Sequence, residues 1–240
     1  PDELHQTTWC VEKAMEFITQ SVSEDVERPW CISINPFAAH PPFDPPQSFK
    51  DRLKIEDMPL PLWQEGELDN KPQSQKDSYY IGAQSGMVRS AVGLTKEEKQ
   101  ENTLEYYALV EHLDYQLGRL IDYLEETGQR ERTIIMFMSD HGERLGDHGL
   151  YWKGGFFYEC NVHVPLIFSC PGLIKEGLRS NALVELMDVA PTVVELTGIP
   201  VPQYMQAKSL ASILKGESDP SHHKDCVYAE YYYSALLSNK

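Results

Sequence analysis

Several kinds of segment are missing from this sequence. No apolar run approaches the roughly 20 residues needed to cross a bilayer, and no basic start leading into an apolar core marks a signal peptide. The chain therefore carries no expected membrane span. It opens at Pro1-Asp2 without an initiator Met, so a targeting segment, if the protein has one, is expected to lie upstream. Cysteine is sparse and odd in number: Cys10, Cys31, Cys160, Cys170 and Cys226 are scattered with no CxxC pair, which excludes a zinc ribbon and a full disulfide framework and predicts buried free thiols. Basic residues are outnumbered, 21 Lys+Arg against 37 Asp+Glu for a formal net charge of -16, which argues against a nucleic-acid backbone as partner. There is no internal repeat and no low-complexity tract.

The chain is long enough to bury a substantial core, and its alternation of apolar runs with helical patterns predicts an α/β unit. Val11, Met15, Phe17, Ile18 and Val22 stand at helical spacing within residues 10–22, followed through Pro29 by a strand candidate at Trp30 to Ile34. From about 35 to 95 the composition turns to Pro, Gln, Asp and Lys, which discourages regular structure and reads as a substrate-side insertion. Residues 96–127 form the clearest helix, with Tyr106, Leu109, Leu113, Leu117, Leu120 and Leu124 on one stripe and Gly128 as its stop. Buried strands are predicted at Thr133 to Met138 and Val164 to Ser169, with shorter ones at Ala182 to Leu186 and near Val227. Asp188 is placed to cap a helix running to Leu196, and a short helix is expected over Ser209 to Leu214. His222 and His223, in a Ser/Asp/Pro-rich stretch, read as solvated loop residues.

The most informative stretch is Ser139-Asp140-His141-Gly142-Glu143-Arg144-Leu145-Gly146-Asp147-His148-Gly149, with Lys153-Gly154 and Tyr158-Glu159 beyond it. It opens at a strand's carboxyl end, the edge where open α/β sheets bind ligands. Asp140 and His141 can point a carboxylate and an imidazole into one crevice, which suits a divalent cation. Calcium and magnesium prefer oxygen, so a bound His141 is more natural for manganese or zinc, and two ligands cannot close a site. Taken alone, the triplet reads as well as a turn cap beside a core histidine. The repetition in Asp147-His148-Gly149 and the arrival of Lys153 on the same loop shift the balance. Lys153 can set an ammonium against an oxyanion, where a desolvated site makes it most effective. Asp147 and His148 are expected to stiffen the loop as much as to ligate. A cation with a few placed basic side chains supplies a local positive focus in an acidic protein, because distant charges are screened beyond a Debye length of about 8 Å.

SDHGERLGDHGLYWKGGFFYE, VPLIFSCPG, ELMDVAPTVVELTGIP and AKSL together resemble the formylglycine-dependent sulfatases of the alkaline phosphatase superfamily. The likeness extends to PDELHQTTWCVEKAMEFI and LVEHLDYQLGRLIDYLEETGQ, nearly the whole chain. It implies a mostly parallel sheet sandwiched by helices, here as a partial domain, so that residues 1–240 form a single α/β domain carrying the 35–95 insertion. It implies a calcium ion (manganese or magnesium as alternatives) held in part by Asp140 and His141, and sulfate bound by Lys153. Ser33 to Phe43 resembles the family's strand followed by a PHxPF-type turn, which makes His40 the candidate sulfate contact and proton donor to the leaving oxygen.

The family's nucleophile, a formylglycine from a C-x-P-x-R or S-x-P-x-R signature, has no counterpart here, and neither do its paired N-terminal aspartates. Both are expected upstream, leaving this chain catalytically incomplete by itself. His163 and Ala207 replace the family's usual Arg and Gly, and two extra residues around Phe37 to Ala39 loosen the match at His40. The implied activity is hydrolysis of a small-molecule or glycan sulfate ester, with periplasmic, secreted or lysosome-like proteins as the family's setting. A phosphodiesterase or phosphonate monoester hydrolase of the same superfamily is the alternative enzyme, and a noncatalytic scaffold or anion-binding module the alternative of another class.

Overall fold

The computed structural model describes residues 2–81 and 91–231. They cluster into two compact units, one drawn from 2–81, 91–127 and 143–156 and the other from 128–142 and 157–231.

The first unit is built on two long helices, α1 (Gln6–Glu24) and α4 (Lys96–Glu126). Thr95 and Glu98 form a reciprocal capping box at the start of α4, which satisfies backbone donors that the first turn leaves without helical partners. Val11, Ala14 and Ile18 of α1 are buried, as are Leu104, Ala108, Leu109, Leu120 and Leu124 of α4. The expected leucine stripe is rotated in its middle: His112 and Gln116 are fully buried where Leu113 and Leu117 were predicted, and those leucines are half-buried. Polar residues can occupy that seam because Thr8 meets them. Gln116 Nε2 donates to Thr8 Oγ1 at 2.9 Å, and His112 Nε2 lies 3.2 Å from the same oxygen.

The Pro-rich segment is packed onto α4 and includes α2 (Gln47–Lys50) and α3 (Gln73–Ile81). Phe49 is buried against the His112 ring at 4.7 Å. Gln100 donates to the Met58 carbonyl at 2.8 Å, and Lys50 pairs with Glu105 at 2.9 Å.

The second unit holds β1 (Ile135–Met138), α5 (Glu159–Val162), β2 (Leu166–Ser169), α6 (Val189–Leu196) and α7 (Ala211–Leu214). β1 and β2 pair antiparallel, Ile135 opposite Ser169 and Met138 opposite Leu166. This departs from the expected mostly parallel sheet. A parallel neighbour needs a crossover of a dozen or more residues, usually helical, whereas residues 139–165 carry only a four-residue α-helix and turn the chain back on itself. Neither strand is fully buried: Met138 is 43% and Ile167 58% exposed. The candidates at Trp30 to Ile34, Ala182 to Leu186 and near Val227 form no ladder among the described residues. Exposure does alternate along 31–35, so the apolar pattern is that of a strand without a hydrogen-bonded neighbour.

Cys170, Ile174, Leu196 and Ala211 form this unit's core, with Phe168 and Leu214 packed against it. All five cysteines are free, but only Cys170 is buried, so the expectation of buried thiols holds at one position. Asp188 does not cap α6. Its fully buried carboxylate accepts instead from the Glu185 amide at 3.0 Å and the Lys208 amide at 3.1 Å, and pairs with Lys224 at 2.7 Å. His223, expected in solvent, is 4% exposed and lies 3.4 Å from Asp188. No described helix is long and apolar enough to cross a membrane.

Candidate active-site loop

In the second unit, Asp140 and His141 follow β1 directly, so the strand fixes where their backbone leaves the sheet. The turn is shaped by its own atoms: Ser139 Oγ donates to the His141 carbonyl at 2.7 Å, and the Gly142 amide donates to the Asn161 carbonyl at 2.9 Å. Gly142 has no substitute here, since a Cβ would sit 1.8 Å from the Cys160 carbonyl oxygen.

Asp140 Oδ1 accepts the His141 amide at 3.0 Å, which turns Oδ2 to within 3.6 Å of His141 Nε2. His141 Nδ1 lies 3.0 Å from the Gly142 carbonyl. A carbonyl can only accept, so Nδ1 is the donor in this contact and Nε2 is the ring nitrogen that faces the carboxylate. Asp140 is 85% and His141 41% exposed at the side chain, so both donors are reachable from solvent. One oxygen and one nitrogen set side by side fit part of a divalent-cation site. Among the described residues no group of three or more His, Cys, Asp or Glu side chains converges, so two donors are what they bring together here.

The rest of the loop belongs to the first unit. Its backbone is unusual: Leu145 (φ 50), His148 (φ 58) and Trp152 (φ 73) all occupy the left-handed region without being glycine. Asp147 and His148 grip the Pro-rich segment. Asp147 Oδ1 accepts the Leu62 amide at 2.7 Å, the His148 amide donates to the Leu62 carbonyl at 2.7 Å, and His148 Nδ1 pairs with Glu67. Gly149 (φ 69) lets this segment close in, since a Cβ there would meet the Trp63 ring at 2.6 Å and the Tyr79 ring at 2.7 Å. Those two rings stack at 5.2 Å. Burial, then the Asp147 carboxylate, push the Tyr151 hydroxyl up to about 12.

Lys153 is half-buried at the end of this grip. His40, also in the first unit, places Nδ1 2.6 Å from the Pro41 carbonyl and packs its ring 4.6 Å from Phe37, so Nε2 is the ring nitrogen turned away from that carbonyl. Sequence reasoning passed over Arg144. It is 3% exposed, donates Nε–H to the Trp152 carbonyl and lies 5.5 Å from the Phe156 ring centre. The available signal was one arginine in a stretch rich in acidic, His and Gly residues.

A family model described as Sulfatase matches residues 6–199. An arylsulfatase of Clostridium perfringens is 29% identical over 233 residues, covering 96% of this chain and 46% of that protein. An N-acetylglucosamine-6-O-sulfatase of Bacteroides thetaiotaomicron is 37% identical over 134 residues, 55% of this chain and 24% of that one. Among solved structures, a phosphonate monoester hydrolase of Agrobacterium radiobacter superposes with a TM-score of 0.80 at 25% identity, covering 92% of this chain and 44% of that chain. The chain thus spans about half the length of the first of these relatives.

Proposed function

The chain belongs to the sulfatase family, and we propose that the protein carrying it hydrolyses a sulfate ester, with a sugar sulfate as the substrate class. The family match runs through both compact units, which supports reading residues 1–240 as part of one domain with a mostly parallel sheet between helices. The observation that carries the functional reading is the pair formed by Asp140 Oδ2 and His141 Nε2, 3.6 Å apart at the end of β1 with His141 Nδ1 turned to the Gly142 carbonyl.

In this reading Asp140 and His141 hold calcium, with manganese or magnesium as alternatives, and further ligands come from outside the described set. The bound ion would supply Lewis-acid stabilisation of charge on the sulfate oxygens. Lys153 binds the sulfate group, where its ammonium offsets charge that grows as the ester bond breaks. His40, protonated at Nε2, gives its proton to the departing alkoxide. The attacking group is a formylglycine outside these residues. The relative named for N-acetylglucosamine 6-O-sulfate supports the sugar assignment.

Metal titration of the natural protein, followed by calorimetry, tests this. Asp140→Ala and His141→Ala should each weaken calcium binding by about tenfold or more, the usual scale for losing a ligand or its support. Unchanged affinity in both removes the pair from the metal site. The alternative reading, a phosphonate monoester hydrolase, rests on the likeness to the Agrobacterium radiobacter enzyme at a TM-score of 0.80. It predicts a higher kcat/KM for a phosphonate monoester than for the matching sulfate ester.

A further inference from the structure

We propose that Arg144 is a positioning residue for Lys153, holding the turn that carries the ammonium; this rests on the reading of Lys153 as the sulfate ligand. Lys153 follows Trp152, whose backbone is in the left-handed region at φ 73, a conformation that relaxes unless its surroundings hold it. Arg144 supplies that hold. Its Nε–H is donated to the Trp152 carbonyl, the oxygen of the peptide that enters Lys153. Its Nη2 lies 3.1 Å from where a Cβ of Gly154 would be, so the same guanidinium also borders the residue that follows. Phe156 lies 5.5 Å from its carbon centre, and the side chain is 3% exposed. One rigid, planar cation therefore holds the carbonyl that precedes Lys153 and borders the residue that follows it, while being too buried to meet substrate itself. Lysine, a point charge on a flexible stem, cannot reproduce a fork of donors in fixed directions.

A merely structural arginine and one that acts through Lys153 differ in how their losses combine. The test is the affinity of the natural protein for inorganic sulfate in Arg144→Met, Arg144→Lys, Lys153→Ala and the Arg144→Met/Lys153→Ala double variant. Arg144→Met and Lys153→Ala should each weaken sulfate binding about tenfold, while adding Arg144→Met to Lys153→Ala should change it by less than about twofold. Arg144→Lys should lose most of the same factor, and it replaces Arg144→Met in every arm if that variant does not fold. An equal loss from Arg144→Met with and without Lys153 overturns the inference, as does full affinity in Arg144→Met beside a weakened Lys153→Ala. Full affinity in Lys153→Ala overturns the reading of Lys153 and this inference with it.

Discussion

Asp147 accepts the backbone N–H of Leu62 at 2.7 Å, and the neighbouring His148 amide returns a hydrogen bond of 2.7 Å to the Leu62 carbonyl. Two consecutive residues of the loop thus pair with one residue of the Pro-rich segment as a sheet rung would. Asp147→Ala leaves the Leu62 amide without its partner and should cost about 1–2 kcal/mol. Asp147→Asn keeps an acceptor oxygen and should cost less than half as much. Chemical denaturation gives the energies, and hydrogen exchange at the Leu62 amide should speed up in the alanine variant alone.

His112 makes the α1–α4 seam sensitive to acid. Burial, with help from the nearby His5, lowers its pKa from 6.5 to about 4. Between those values the unfolded chain binds the proton and the folded one does not, so stability rises with pH across this window and falls as the solution is acidified through it. The slope integrates to at most about 3 kcal/mol. Melting temperature should drop between pH 6.5 and 4, and His112→Gln should flatten that drop. A His112→Gln profile with the original slope would show that other groups cause it.

Asp188 is the buried anion of the second unit. Burial alone would raise its pKa, but the Lys224 ammonium and the amides of Glu185 and Lys208 outweigh it and hold the carboxyl below the usual range. A depressed pKa of this kind adds stability above the unfolded value that is lost as pH falls through the folded one. Asp188→Ala leaves the Glu185 and Lys208 amides without their acceptor and Lys224 with Glu185 as its remaining partner, and should destabilise by about 2–4 kcal/mol. Asp188→Leu should be no better, whereas Asp188→Asn should recover part of the loss in a thermal melt.

Gly142→Ala should be among the most damaging single changes. The added methyl would sit 1.8 Å from the Cys160 carbonyl oxygen, so the turn that displays Asp140 and His141 has to move. A cost of about 3 kcal/mol or more, with loss of calcium affinity, is expected. Wild-type affinity in this variant would mean that the metal is held elsewhere.

What could be read from the sequence were the features governed by local pattern. α4 and its end follow from the 3.6-residue periodicity and from Gly128 just beyond it. The place of Asp140 at a strand's end follows from the apolar run ahead of it. What escaped depends on distant partners. His112 Nε2 and Gln116 Nε2 join the buried seam at Thr8, over a hundred residues away, and Arg119 donates to Gln116 Oε1. His223 is buried because Asp188 and Lys224 draw its segment inward, although its neighbours are all loop formers. Strand direction escaped as well, since apolar content gives burial but not pairing, and the connection between β1 and β2, with only a four-residue α-helix, returns the chain antiparallel. The left-handed Trp152, and with it the role of Arg144, is set by the closed loop and leaves no mark on composition.

The most direct test of the account is sulfate-ester turnover by the natural protein with and without Lys153. Lys153→Ala should lower kcat/KM for a sulfate ester at least about tenfold, corresponding to about 1.4 kcal/mol of transition-state stabilisation, with the fold intact by thermal melt. Turnover equal to wild type would contradict the account by removing Lys153 from the sulfate site.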